Sequence, residues 1–184
     1  MNPRPRSRSS LRRRAGALPV LPLAAALLTS TVALYMALVA FGNITDFDTN
    51  RAFVRHVLAM DTTFKDPDLM WRAVGSTTLQ DIAYVLIIAW ETVAALVLVA
   101  AGVGWARALR GSGGFARARR LSTAGLLMVL LLFGAGFIAI GGEWFAMWQS
   151  KAWNGLDAAM RDFMLAAFTL LIVHLPGVEE RGGG

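Results

Sequence analysis

Ile82–Gly104 reads IAYVLIIAWETVAALVLVAAGVG, 23 residues with one charge, Glu91. A helix needs about 20 residues, at about 1.5 Å each, to cross a hydrocarbon core of about 30 Å. This run meets that length and is too apolar for one face of a soluble helix. Two further runs behave alike: about Leu18 to Phe41 and about Leu121 to Gly142 carry no charge. A fourth, about Asp157 to Leu175, is weaker. Its first turns hold Arg161 and Asp162, and only Phe163 to Leu175 is strongly apolar. It spans if those turns lie in the headgroup layer, where Arg161 can snorkel. The alternative is three spans plus a re-entrant or interfacial helix.

Composition supports this reading. Hydrophobic residues make up 56% of the 184 and charged residues 16%, against roughly 45–50% and about 25% in ordinary globular domains. Mean hydropathy is +0.53. Disorder is excluded for most of the chain, since disordered chains are poor in apolar residues. The absence of cysteine excludes disulfides, thiolate metal sites and a cysteine nucleophile.

The net charge of +6 is concentrated. Residues 1–14 carry six arginines and no acid, and residues 105–120 carry five and no acid. Residues 42–81 hold four bases and six acids. An isoelectric point near 11.0 is compatible with nucleic-acid binding, but basic blocks flanking apolar runs read as membrane-orientation signals, so no nucleic-acid partner is expected. With both arginine blocks and the C-terminus inside, the inner side holds twelve bases and the outer side six. The positive-inside rule then places both termini in the cytoplasm. A cleaved signal peptide is disfavoured. The first apolar stretch exceeds the 7–15 residues of a typical signal core, and its one tolerable cleavage site, Thr31–Val32–Ala33, falls mid-run. Arg12–Arg13 lacks the surroundings of a twin-arginine signal.

The expected organisation is an arginine-rich cytoplasmic tail (1–17), a single four-helix membrane domain (18–176) and a short tail (177–184). Spans lie at about 18–41, 82–104, 121–142 and 157–175, with an outer loop at 42–81 and a basic, glycine-containing loop at 105–120. The fold class is all-α, a four-pass transmembrane helical bundle with short amphipathic helices capping the outer side. In the outer loop Asp48 is expected to cap a helix running to about Met60, with Phe53, Val54, Val57 and Leu58 on one face. Asp66–Pro67 opens a short helix through Trp71. Thr77 with Gln80 fits a capping box for the second span, and Asn154 a cap for the fourth. Trp71, Trp144, Trp148 and Trp153 fall at the predicted outer boundary and Trp105 at the inner one, the layer indole rings prefer. Small residues four apart, Ala33 with Ala37 and Ala135 with Ala139, suit close helix pairing, and Gly134 and Gly136 thin the third span further.

Several long stretches carry a resemblance: NITDFDTNRAFVRHVLAMDTTF at Asn43–Phe64, MWRAV at Met70–Val74, IIAWE at Ile87–Glu91 and GGEWFAMWQSKAWNG at Gly141–Gly155. Together they resemble a bacterial family of predicted small integral membrane proteins, domain of unknown function 2165. The resemblance covers about Leu21 to Pro176. It implies a four-pass inner-membrane protein and no particular activity, cofactor or partner.

Among residues that could carry function, Glu91 comes first. It lies ten residues past Asp81, so about 15 Å deep, where an ionisable group is a functional hypothesis by default. A protonatable carboxyl there suits exchange of a proton for a cation; its structural counterpart is a carboxyl hydrogen-bonded to a neighbouring helix. Glu143, preceded by Gly141 and Gly142, is expected to pair with Arg72, Arg55 or Lys151, with cation binding as the sharper reading. His56 and the loop acids, Asp61 among them, offer metal-ligand chemistry, but with one histidine and acids suited to helix caps no metal is expected. His56 and His174 fall on opposite predicted sides, which disfavours a bis-histidine haem. No nucleophile–base pairing, phosphate loop or dinucleotide fingerprint occurs, so no enzyme activity and no cofactor are expected. The leading expectation is a non-catalytic accessory or structural protein of the bacterial inner membrane. Its partners are the lipid bilayer and other membrane proteins or a second copy. The alternative is a proton-coupled carrier or small-ligand membrane binder that uses Glu91.

Overall fold

A computed structural model describes residues 20–178; the expectations for residues 1–19 and 179–184, including the first arginine block and Arg181, lie outside the described residues. Among those described the chain is all-helical. It runs α1 (Val20–Thr45), α2 (Phe47–Ala59), α3 (Thr77–Arg107), α4 (Phe115–Leu130) and α5 (Leu156–Val173), with single 3-10 turns at Met70–Arg72 and Met147–Gln149. Wide π-type turns prolong α4 through Leu131–Trp144. Three stretches are long and apolar enough to cross a membrane: Val20–Thr45, Thr77–Ser112 and Phe115–Trp144. α5 is 18 residues long and carries Asp157, Arg161 and Asp162.

The helix ends follow local chemistry, in places differently from the expectation. α2 starts at Phe47, so Asp48 lies in its first turn and does not cap it. Asp46 is the one residue between α1 and α2, and its carboxylate accepts from the Thr49 hydroxyl at 2.9 Å. α3 is capped by Ser76, whose Oγ accepts from the Leu79 amide. Gln80, expected in a capping box with Thr77, instead donates its side-chain amide to the Val74 carbonyl at 2.6 Å. Asp66 closes an Asx turn by accepting from the Asp68 amide, and Asn154 accepts from the Leu156 amide at the start of α5. Helix covers most of 105–120, so the five arginines there stand on or beside helix ends. The turn between α3 and α4 is made by Gly111, Gly113 and Gly114, all at positive φ, which side chains with a Cβ rarely adopt.

The packing places small residues inside and large ones outside. Ala25, Ala33, Ala94, Ala95, Ala101, Ala118 and Ala166 are buried, while Leu27, Leu34, Leu38, Leu86, Leu96 and Leu171 face outward. That arrangement suits helices packed by close backbone approach in an apolar solvent. α1 lies against α3 and α5, α3 against α4, and α4 against α5.

Glycines set the closest approaches. A Cβ on Gly125 would stand 2.6 Å from Leu98 Cγ, and one on Gly104 3.2 Å from Ala118 Cβ. Beyond Leu130 the helix leaves α3 and leans on α5. There a Cβ on Gly134 would meet the Phe163 ring at 2.9 Å, and one on Gly142 would meet Leu156 at 2.9 Å. Ala135 and Ala139, expected to pair helices, face outward; of the two glycines expected to thin this helix, Gly134 makes the close approach and Gly136 does not. Trp90 donates its indole N–H to the Met128 carbonyl at 2.9 Å, just before the helix widens, supplying a donor where the regular ladder changes.

Trp105 also departs from the expectation. It is completely buried, and its indole N–H donates to Ser122 Oγ at 2.8 Å. Ser122 in turn accepts from the Thr29 hydroxyl and donates to the Ala118 carbonyl. Trp105 is therefore an internal tie between α1, α3 and α4 rather than an interfacial ring. A buried indole N–H must find a partner, and Ser122 is near enough to be one.

Candidate functional site: a carboxyl-lined cavity inside the bundle

Glu91 is buried on α3, and its Oε2 accepts from Asn43 Nδ2 near the end of α1 at 2.7 Å. Asn43 is held on two further sides. Its Oδ1 accepts from Asn50 Nδ2 at the start of α2, and its backbone carbonyl accepts from the Tyr84 hydroxyl at 3.2 Å. Tyr84 and Glu91 are seven residues apart, two turns of one helical face. The result is a relay from α2 through α1 to α3 that ends on one carboxyl.

A second buried carboxyl stands across the bundle. Asp162 on α5 is 5% exposed and accepts from the Tyr35 hydroxyl on α1 at 2.8 Å. Its chain neighbour Arg161 points outward, with a side chain 70% exposed and Nε 3.5 Å from the same carboxylate. The sequence reading put both charges of α5 in the headgroup layer. Successive helical residues turn by about 100°, and that rotation sends Arg161 out and Asp162 in.

Glu91 and Asp162 line one cavity of about 230 Å³. α1 supplies Tyr35, Val39 and Asn43, spaced by four residues, and α5 supplies Gly155, Ala158 and Ala159 beside Asp162. Tyr84 and Ile87 of α3, Phe133 and Phe137 of the prolonged α4, and Asn50, Phe53 and Val54 of α2 complete the wall. No lysine, arginine or histidine lines it. The site therefore combines two carboxyls, five aromatic rings and no cationic side chain.

The other expected site residues fall elsewhere. His56 Nδ1 meets the Asp61 carboxylate at 2.8 Å, and its ring stacks on Trp153 with centroids 4.5 Å apart. Among the described residues no three histidines, aspartates and glutamates converge on a point where a metal could sit. Arg72 lies over the Trp144 ring at 4.9 Å and the Trp71 ring at 5.6 Å, and donates to the Trp144 carbonyl. It does not pair with Glu143, which is exposed and makes no ion pair among the described residues. Arg55, the other expected partner of Glu143, joins Arg51 on Asp81, with contacts of 2.7–2.9 Å. That carboxylate raises the Arg51 guanidinium above its usual pKa. Trp148 meets Phe64 edge-on at 5.9 Å. His174 Nε2 lies 2.8 Å from the Thr123 hydroxyl, which ties α5 to α4.

The sequence reading missed Asp162, Tyr35, Asn43 and Asn50 as companions of Glu91. One signal was available: apart from its threonines and Ser30, α1 carries two polar side chains, Tyr35 and Asn43, eight residues and so about 80° apart around the helix.

A family model described as "Predicted small integral membrane protein (DUF2165)" matches residues 21–176. The chain belongs to this family. It is accordingly an integral membrane protein. The family's match includes every residue of the cavity wall. No curated protein and no solved structure matches the chain.

Proposed function

We propose that this is a four-pass protein of the bacterial inner membrane, with both termini cytoplasmic, that binds a small molecule inside its bundle at Glu91 and Asp162. One observation carries the reading. Two buried carboxyls from helices far apart in sequence border the same open space instead of being closed off by packing. A purely structural carboxyl would be expected to end in a filled hydrogen-bonded contact, because protein interiors are close-packed and buried polar groups are satisfied. In the four-pass arrangement α5 spans with Arg161 snorkelling, and α2 with the 3-10 turns covers the outer end of the bundle. The accessory-protein reading draws on the small size and the glycine-lined helix contacts. The cavity favours the ligand-binding alternative.

The test is native mass spectrometry of the full chain extracted from its own membrane in a mild detergent or polymer disc. The expected result is a small-molecule adduct on the wild type that is absent from the Glu91→Gln, Asp162→Asn double variant. A bare chain in both, or a stoichiometric larger protein with no adduct, would overturn the reading and restore the accessory role.

A further inference from the structure

A second cavity, about 310 Å³ and apolar, lies beside the first. It occupies the cleft where the prolonged α4 parts from α3. Leu86 and Ala83 form one side, Leu132, Gly136 and Ile140 the other, and α2 closes the top with Val57 and Leu58. Four residues, Phe53, Val54, Ile87 and Phe137, line both cavities. The two spaces are thus neighbours across a single layer of side chains, one polar and acidic, the other hydrocarbon.

From this juxtaposition we infer that the pair of cavities holds one amphiphilic organic ammonium, its cationic head among Glu91, Asp162 and the surrounding rings and its hydrocarbon tail in the α3–α4 cleft. The inference rests on the ligand-binding reading and names the ligand's class. Charge complementarity selects a cation. No lysine, arginine or histidine lines the inner cavity beside its two carboxyls. Glu91 has only the neutral Asn43 amide as partner, and Asp162 has, beside the Tyr35 hydroxyl, only the outward-pointing Arg161 at 3.5 Å. A buried charge is costly until it is paired. The rings select an ammonium rather than a hydrated metal ion, since aromatic faces attract desolvated alkylammonium groups. Tyr35, Tyr84, Phe133 and Phe137 stand around the acids. The cleft selects the tail. Its lining is apolar, and the membrane beside it offers no reason to leave such a cleft to water. Gly136 keeps it open, because a Cβ there would have no neighbour closer than 3.9 Å. Ile87 and Phe137 separate head from tail and would have to turn aside for a ligand to occupy both spaces.

The experiment is equilibrium binding to the full chain in phospholipid nanodiscs, with hexyltrimethylammonium, tetramethylammonium and hexanol as probes. Hexyltrimethylammonium should bind saturably and more tightly than either of the others. Glu91→Gln should weaken it by roughly ten-fold or more, a difference that corresponds to one lost specific contact. Gly136→Leu, which fills the cleft, should weaken hexyltrimethylammonium and leave tetramethylammonium unchanged, while Ala135→Leu on the lipid-facing side should change neither. Tetramethylammonium binding as tightly as the hexyl compound, or Gly136→Leu having no effect, would overturn the tail site. Absence of binding by both cations would overturn the ligand class. Neither result touches the cavity reading if the native adduct is present, and that reading fails separately if the adduct is absent.

Discussion

Asn43 gives the sharpest residue-scale prediction, because it is the donor that satisfies Glu91. Asn43→Ala leaves a buried carboxyl without that partner, and an orphaned buried polar group costs about 1–3 kcal/mol. The variant should therefore melt earlier than wild type in a detergent unfolding assay. Glu91→Gln keeps the shape and an acceptor oxygen, so its melting temperature should stay much closer to wild type. A fall as large as that of Asn43→Ala would show that Glu91 holds the fold together chiefly by its charge. Trp105→Phe keeps most of the packing but removes the donor to Ser122, a loss of about 1 kcal/mol, readable in the same assay. Glu91 was legible as a candidate from one charge in a long apolar run. Its companion Asp162 was not, because an acid in the first turns of a weak span reads equally well as a headgroup-layer charge. Only the rotation of α5 against α1 decides between them, and tertiary packing sets that rotation.

At the scale of elements, the bundle depends on where side chains are missing. Gly125→Val would drive a branched side chain into Leu98 and should cost about 1–3 kcal/mol as overpacking. Ala135→Val, on the outward face, should stay within about 0.5 kcal/mol. Equal effects would mean that α3 and α4 do not approach at Gly125. Small residues promised close helix contacts in the sequence, but spacing alone could not tell the inward glycines from the outward alanines. α2 poses a different question, since Arg51 and Arg55 both hold it to Asp81 at the start of α3. Asp81→Asn should raise hydrogen exchange of α2 amides and leave α4 unaffected. Unchanged exchange in α2 would assign its placement to Phe53 and Val54 alone. The existence of α2 was legible from its apolar face; its tie to α3 was not, because the pairing joins residues 26 and 30 positions apart.

For the whole molecule, charge asymmetry and helix order give a topology that single thiols can test. The chain has no cysteine, so each introduced one is a unique reporter. Asp68→Cys should react with a membrane-impermeant maleimide from outside intact cells. Ser112→Cys and Leu175→Cys should react only after the cells are opened. Reaction of Leu175→Cys from outside would leave α5 uncrossed and the count at three spans. The long apolar helices needed nothing beyond the sequence to be recognised, since length and hydropathy decide them. The interior space did not announce itself, because a cavity is a property of how four helices and α2 meet.

The same lack of native thiols offers the most direct test of the carboxyl-lined cavity. Ala159 and Ala94 are both buried in the packed core, but only Ala159 lines the cavity. Both can be replaced by cysteine and treated with 2-aminoethyl methanethiosulfonate, a small cationic thiol reagent, alongside its neutral methyl analogue. The account predicts that Ala159→Cys reacts much faster than Ala94→Cys, that the cationic reagent is favoured over the neutral one at Ala159→Cys, and that Glu91→Gln removes this preference. Equal, slow reaction at both positions, or a preference indifferent to Glu91, would contradict it.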